Sequence, residues 1–331
     1  MLCALPNQVA LLLMPLLVSS LFKPLLTIIL PVFALIFAGY ACRKTNRLGP
    51  NASSELNRFV VYLALPALLF DIMATTPWRS LDQPAFIAAF GIAAAAIFLL
   101  TLLASLKRSS HLADASLDAL NAAYPNAGFI GLPLCALAFG HASLAPAVIA
   151  LILTVCVLFA VAIVLIELGL QTEKHFAATL GKVVRSLVTN PLLFAPFAGW
   201  LCSGAGLAIP GGADTFLKLL GAAASPCALV ALGLFLGEKS KGGAAGKTSM
   251  LVIAKLIAQP LLTWWLAFHV FALPLLWAKT AVMLSALPTG TGPFMLAEFY
   301  RREAGVTSST ILFSTLISLV TVTLCLAAIT H

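Results

Sequence analysis

The chain alternates between long apolar runs and short polar stretches over almost its whole length. An apolar helix of about 20 residues crosses the hydrocarbon core of a bilayer. Residues 1–20 are also apolar but lack the basic start of a signal peptide. We interpret them as an N-terminal extension or a lead-in to the first helix, with translation beginning at Met1 or Met14. The remaining pattern predicts ten membrane-spanning helices, at residues 21–41, 57–76, 85–106, 115–139, 143–169, 180–203, 212–236, 249–271, 277–300 and 307–329.

The basic residues in the polar stretches test this count. Cytoplasmic loops of membrane proteins carry an excess of lysine and arginine. When the ten spans alternate in direction, one set of loops holds fourteen of these residues and the other only Lys23, Arg79, Lys218 and Lys279. The fourteen are Arg43, Lys44, Arg47, Arg58, Lys107, Arg108, Lys174, Lys182, Arg185, Lys239, Lys241, Lys247, Arg301 and Arg302. We therefore predict that the basic loops are cytoplasmic and that both termini lie outside.

The two halves of the chain share an internal repeat. Residues 31–42 and 191–202 both run from a proline through Phe-Ala-Gly and an aromatic residue to a cysteine. The matched positions, offset by 160, are Pro31 with Pro191, Gly39 with Gly199, Cys42 with Cys202, and Pro66 with Pro226. Each half, residues 21–170 and 171–331, holds five spans. Because five is odd, the second half must run in the opposite direction, which is the inverted repeat of many transporters.

Two predicted spans are interrupted at equivalent positions. Tyr124–Leu134 reads Tyr-Pro-Asn-Ala-Gly-Phe-Ile-Gly-Leu-Pro-Leu in the fourth span, and Leu287–Phe294 reads Leu-Pro-Thr-Gly-Thr-Gly-Pro-Phe in the ninth. Proline removes a backbone donor and glycine permits unusual backbone conformations. Inside a membrane such a break is tolerated only where protein buries it or where it lines a wet cavity. Transporters with inverted repeats build their substrate sites from such pairs of broken helices.

The breaks therefore supply the candidate substrate site. Half-helix starts expose N–H groups that favour an anion, and the threonines and asparagine add neutral hydrogen-bonding groups. The alternative is that both breaks are ordinary proline kinks packed against neighbouring helices. The candidate residues are Tyr124, Pro125, Asn126, Gly128, Pro288, Thr289, Gly290, Thr291 and Gly292.

Three ionisable residues fall inside predicted spans: Asp71 in the second, Lys255 in the eighth and Glu298 in the ninth. Charged groups inside a membrane are costly and are often functional. One interpretation makes Asp71 or Glu298 a site for a coupling ion, H+ or Na+, with Lys255 as a countercharge. The other places Asp71 and Glu298 at the level of the lipid headgroups, with the Lys255 side chain reaching out to the interface.

Composition narrows the function classes. Charged residues make up 9% of the chain, whereas soluble proteins contain about a quarter. The net charge of +8 comes from the basic loops, and without a basic face or binding motif it indicates no nucleic-acid partner. The seven cysteines show no Cys-x-x-Cys spacing, so no metal site is expected. Motifs for nucleotide binding and hydrolysis are absent from the sequence, so we expect neither an enzyme nor a cofactor.

The two breaks resemble those of the auxin efflux carrier family, which includes plant PIN-type carriers and bacterial malonate or malate transporter homologues. The resemblance extends from about residue 25 to the end of the chain. The segments that carry it are 31–40, the Pro-Asn at 125–126, the Gly-Leu-Pro-Leu at 131–134, 286–290, the Pro-Phe at 293–294, and the Ala-Glu-Phe-Tyr at 297–300.

The resemblance implies an all-α membrane fold similar to bile-acid and sodium/proton transporters, with spans four and nine crossing at their breaks. It implies that spans 1, 2, 6 and 7 form a scaffold that makes a homodimer, and that spans 3–5 and 8–10 form a moving transport unit. In PIN-type carriers the asparagine of the first break contacts the carboxylate substrate, and that position here is Asn126. The link at 170–180 is short, which favours a bacterial-type carrier over the plant members with a long central loop.

The combined interpretation is a multi-pass transporter of the bacterial inner membrane, surrounded by lipid. It would move a small organic anion such as malonate or malate by an elevator-type mechanism, as a symporter. The alternative from another class is a membrane channel or ligand sensor that uses the same pocket between the broken helices.

Overall fold

The structure, a computed structural model, describes residues 31, 34–75, 82–108, 111–171, 191–237 and 245–330. The predicted extension at residues 1–20, both candidate start residues and most of the link after residue 170 lie outside this part. The described residues form twelve helices. They are α1 (34–44), α2 (Ala52–Thr75), α3 (Pro84–Lys107), α4 (Leu112–Ala123), α5 (Ala127–Gly131 continuing as Leu132–Phe139), α6 (His141–Leu170), α7 (Pro191–Gly204), α8 (Gly211–Gly237), α9 (Ala245–Val270), α10 (Leu275–Ser285), α11 (Gly292–Phe299) and α12 (Ala304–Thr330).

Six of these helices are long and apolar enough to cross a membrane: α2, α3, α6, α8, α9 and α12. The chain is therefore an integral membrane protein built from helices. The predicted fourth and ninth spans each consist of two short helices, α4 with α5 and α10 with α11, separated at the predicted breaks. The total of ten membrane spans and the outside position of both termini stay predictions.

Prolines set several local features of these helices. Pro84 opens α3 and Pro191 stands at the first described residue of α7, and a helix start loses nothing from the missing N–H. Pro66 and Pro260 each follow a π-helical turn, Val60–Ala64 in α2 and Ala254–Ala258 in α9. A proline removes one bond of the helix ladder, so a wider turn before it is expected.

The helices pack in two groups. The first consists of α1, α2, α7 and α8, in which α2 packs along both α7 and α8. The second consists of α3–α6 and α9–α12, in which α4 packs on α3 and α6, and α10 packs on α9 and α6. The predicted division into a scaffold of spans 1, 2, 6 and 7 and a transport unit of spans 3–5 and 8–10 stays a prediction.

Close glycine contacts hold the first group together. A Cβ at Gly39 of α1 would overlap the carbonyl oxygen of Val230 in α8, and a Cβ at Gly199 of α7 would overlap that of Phe70 in α2. Small residues allow membrane helices to approach this closely. The two contacts are related by the same 160-residue offset as the sequence repeat, since 39 pairs with 199 and 70 with 230. The inverted repeat itself stays a prediction.

Ion pairs join α4, α9 and the turn before α12 at one end of the second group. Lys247 lies 3.0 Å from the buried carboxylate of Asp118 and 2.9 Å from Glu303. Arg302 binds Asp114 through two hydrogen bonds of 2.6 Å, and these bonds raise the pKa of Arg302. Lys247 and Arg302 are two of the basic residues assigned to cytoplasmic loops, and their acidic partners were missed by sequence reasoning.

The glycine packing leads to a stability prediction. A Cβ at Gly233 of α8 would overlap the Ile36 carbonyl oxygen, so Gly233→Ala must push α1 and α8 apart. We expect the free energy of unfolding to fall by about 1–3 kcal/mol, the usual cost of overpacking. The measurement is the midpoint of thermal unfolding in detergent, which should be lower than in the wild type. Gly91→Ala in α3 is the matched control, because a Cβ there meets no atom within 4 Å. Equal midpoints for the two variants would show that α1 and α8 are not in tight contact at Gly233.

Candidate functional site

The two helix breaks contact each other directly. Pro125 and Thr289 form an isolated antiparallel β-bridge. The N–H of Asn126 donates to the carbonyl of Pro288 at 2.9 Å, and the N–H of Gly290 donates to the carbonyl of Tyr124 at 3.0 Å. Backbone groups freed by a break in a membrane need partners inside the protein. Each break supplies those partners to the other.

We call the paired breaks, Tyr124–Asn126 with Pro288–Gly290, the crossing. Polar side chains join the crossing to the neighbouring helices α4 and α12. The Thr289 hydroxyl donates to the carbonyl of Asn121 in α4 at 2.8 Å, while the Thr289 N–H donates to the Ser314 hydroxyl of α12 at 3.1 Å. The Asn121 side chain in turn donates to the Thr307 hydroxyl of α12 at 2.9 Å. All four side chains are buried. The breaks are therefore held in register by hydrogen bonds as well as by apolar packing.

Tyr124 explains two of the glycines in the second break. A Cβ at Gly290 would lie 2.9 Å from the Tyr124 ring, and a Cβ at Gly292 would lie 2.6 Å from it. Neither glycine has a positive φ. Both are therefore required for space against the ring, and the conformational freedom considered for them is not used.

A cavity of about 320 Å3 opens beside the crossing, at the small end of the range typical for ligand sites. Six candidate residues line it, and its opposite wall comes from α2 and α8. The six are Tyr124, Pro125, Asn126, Gly128, Gly290 and Thr291. Pro288, Thr289 and Gly292 do not line the cavity; they belong to the hydrogen-bonded and packed side of the crossing.

The cavity offers hydrogen-bonding groups and helix ends in place of charges. Among the described lining residues, none has an acidic or basic side chain, and the polar side chains are those of Tyr124, Asn126 and Thr291. The starts of α5 and α11 lie at its edge, since Gly128 and Thr291 line it. The first N–H groups of a helix have no partners within it and carry partial positive charge. This arrangement suits a small anion.

The ionisable residues predicted for ion coupling are not among the residues that line the cavity. Asp71 in α2 does not line it, and its charged neighbours are Lys218 and Asp214 of α8. Glu298 is a half-buried residue of α11 that also does not line it. Their role in coupling stays a prediction.

The position of the Lys255 side chain contradicts one of the two interpretations made from the sequence. Its side chain is fully buried, and its amino group donates to the carbonyl of Ser285, the last residue of α10, at 2.7 Å. The interpretation that this side chain reaches the membrane interface is therefore wrong. The contact could not be read from sequence, because Lys255 and Ser285 are 30 residues apart.

The part of the chain that the structure describes contains no cluster of three or more His, Cys, Asp or Glu residues able to hold a metal ion. The six cysteines within it are free thiols.

Comparisons with known proteins match almost the whole chain. A family model described as "Membrane transport protein" matches residues 24–326. A Rhizobium meliloti protein named "Putative malonate transporter" is 31% identical over 298 residues, which cover 89% of this chain and 93% of that protein. A Methanothermobacter thermautotrophicus protein named "Uncharacterized transporter" is 25% identical over 297 residues, 89% of this chain and 95% of that protein. The family match thus includes both helix breaks.

The crossing generates a prediction that separates its two threonines. Thr289→Val keeps the side-chain shape but removes the hydroxyl that donates to the Asn121 carbonyl, which then lies buried without that bond. We expect a loss of about 1–3 kcal/mol in the free energy of unfolding. Thr291→Val, whose side chain lines the cavity, is the matched control and should unfold like the wild type. Thermal unfolding in detergent measures both, and an equal loss in the two variants would contradict the assignment.

Proposed function

The chain belongs to the auxin efflux carrier family of membrane transport proteins, and on that basis we propose that it is a secondary transporter of a small organic anion. The observation that carries the proposal is the cavity beside the paired breaks, which combines two half-helix starts with Asn126 and Thr291. A charge at the centre of a membrane costs at least about 2.5 kcal/mol. Favourable helix ends contribute about 0.3–2 kcal/mol each, so two of them offset a cost of this order in part or in full, and the hydrogen-bonding side chains add to them.

We infer that the substrate is a small carboxylate such as malonate or malate. The volume of about 320 Å3 accommodates a molecule of that size, and the similar Rhizobium meliloti protein carries malonate in its name. Asn126 is the residue that we assign to the carboxylate, because its amide group can donate hydrogen bonds without bringing a second charge. The membrane that we assign to this transport is the bacterial inner membrane.

We further propose an elevator-type movement, in which α3–α6 and α9–α12 carry the substrate past a scaffold of α1, α2, α7 and α8. The two walls of the cavity support this division. The polar side chains among the described lining residues come from the breaks, whereas the lining residues of α2 and α8 are apolar. The latter are Leu65, Leu68, Ile72, Gly221, Ala222 and Ala224. A substrate held by the breaks can then slide along α2 and α8 without breaking a hydrogen bond.

Uptake into proteoliposomes tests the proposed substrate and its site. Wild-type protein should accumulate labelled malonate or malate in a saturable manner, above the outside concentration when a gradient drives it. Asn126→Ala should lower the uptake at limiting substrate about ten- to a hundredfold, because a hydrogen bond to a charged group contributes about 1.5–3 kcal/mol. The expected effect is a loss of affinity in a protein that still folds.

Asn51→Ala is the matched control for this experiment. Asn51 precedes α2 at an exposed position and its side chain makes no capping hydrogen bond, so uptake should stay at the wild-type rate. Unchanged uptake by Asn126→Ala would contradict the assignment of Asn126 to the substrate site. Flux that never exceeds equilibrium would favour the channel, and binding without flux would favour the sensor.

Cross-linking tests the elevator movement. Leu68 of α2 and Leu132 of α5 line the cavity from opposite groups. In a variant with the seven native cysteines replaced, Leu68→Cys and Leu132→Cys joined by a reducible reagent should abolish uptake, and reduction should restore it. The two single-cysteine variants, treated with the same reagent, are the controls. Full uptake by the cross-linked protein would exclude movement between these two groups during transport.

A further inference from the structure

One helix supplies hydrogen bonds to the ends of both interrupted helices. Lys255 of α9 donates to the carbonyl of Ser285, where α10 ends, at 2.7 Å. Gln259, one turn further along α9, donates from its side-chain nitrogen to the carbonyl of Ala123, where α4 ends, at 3.1 Å. Both side chains are fully buried. The last carbonyls of a helix have no partners within it, so α9 satisfies one of them at each break.

The local shape of α9 places these two residues. Lys255 lies within the π-helical turn Ala254–Ala258, which ends shortly before Pro260. Pro260 has no N–H to donate to the preceding turn, so the wide turn follows from the sequence. It sets Lys255 opposite the end of α10 and Gln259 opposite the end of α4. Such turns occur frequently at functional sites.

The ends of half-helices have a general role in transporters with inverted repeats. The starts of half-helices carry partial positive charge and face anionic substrate groups, while their carbonyl ends and unwound carbonyls bind the coupling Na+ or H+. In this chain the carbonyl end of α10 already has the Lys255 amino group as its partner. Across the described part of the chain, no carboxylate forms an ion pair with that amino group. The amino group therefore faces a helix end and donates to a carbonyl oxygen there, with no carboxylate beside it in that part of the chain.

We propose that the Lys255 amino group takes the place of a coupling Na+ at the carbonyl end of α10, so that the crossing needs no Na+ to bind its anion. The inference rests on the proposed transport function, and it excludes Na+ from the two coupling ions considered, H+ and Na+. Removing Lys255 would leave the Ser285 carbonyl without this donor. One turn along α9, the side-chain oxygen of Gln259 is buried and has no hydrogen-bond partner among the residues that the structure describes. Carbonyl-type oxygens coordinate small cations and accept hydrogen bonds from ammonium groups.

Thermal unfolding in the absence of substrate tests the inference independently of transport. Purified wild-type protein should unfold at the same temperature in NaCl, KCl and choline chloride of equal ionic strength. Lys255→Ala should unfold several degrees lower in choline chloride, and NaCl or methylammonium chloride should restore a measurable part of the loss. Lys279→Ala is the matched control, since it removes a half-buried lysine from α10 and leaves the Ser285 carbonyl bonded.

Three results would overturn the inference. The first is a saturable, Na+-specific rise in the unfolding temperature of the wild type. The second is wild-type stability of Lys255→Ala, and the third is a destabilised Lys255→Ala that responds to neither Na+ nor methylammonium. If Lys255→Ala does not fold, Lys255→Met replaces it, and the wild-type comparison of salts still decides. Failure of the transport proposal would appear separately, as absent uptake in a wild type whose stability is indifferent to Na+.

Discussion

The hydrogen bonds between the two breaks are the interaction on which the rest of the structure depends. Pro125 and Pro288 interrupt their helices inside the protein, where an unsatisfied buried backbone group costs several kcal/mol. The bonds from Asn126 to Pro288 and from Gly290 to Tyr124 remove that cost only when both breaks meet in one register. Thr289 then extends the pairing to α4 and α12, so the crossing also sets how the surrounding helices pack.

This pairing gives the crossing two chemically different sides. On one side the starts of α5 and α11 open onto the cavity, where an anion can use their N–H groups. On the other side the ends of α4 and α10 meet α9, where Gln259 and Lys255 donate to their carbonyls. Opposite helix ends are thus separated, and each faces groups of the complementary kind. The described wall residues include no lysine, arginine or histidine, so the partial positive charge that we assign to the cavity is that of the starts of α5 and α11.

The sequence predicted the breaks better than it predicted their surroundings. Proline and glycine act locally, so the interruptions near Pro125 and Pro288 could be placed without a structure. Which side each residue faces depends on packing between distant segments. Thr289, for example, was expected in the substrate site but bonds to Asn121, which is 168 positions earlier. The pairing of Lys255 with Ser285 follows from the same long-range packing. The cavity wall from α2 and α8 is apolar like most of the chain, so its sequence does not distinguish it from a lipid-facing surface.

The apolar character of that wall has a physical consequence for the proposed movement. A substrate that made hydrogen bonds to both walls would have to break one set before the second helix group could shift, at about 1.5–3 kcal/mol for each bond to a charged group. With Leu65, Leu68 and Ile72 on α2 and small residues on α8, a substrate in the proposed movement would exchange one apolar neighbour for an equivalent one at each step. Gly221 lets α8 lie close to α2, because a Cβ there would come within 3.1 Å of the Leu68 backbone. In the proposed carrier, the bound anion has to move together with one group of helices. An apolar scaffold wall allows this, because the anion makes its hydrogen bonds only to the crossing.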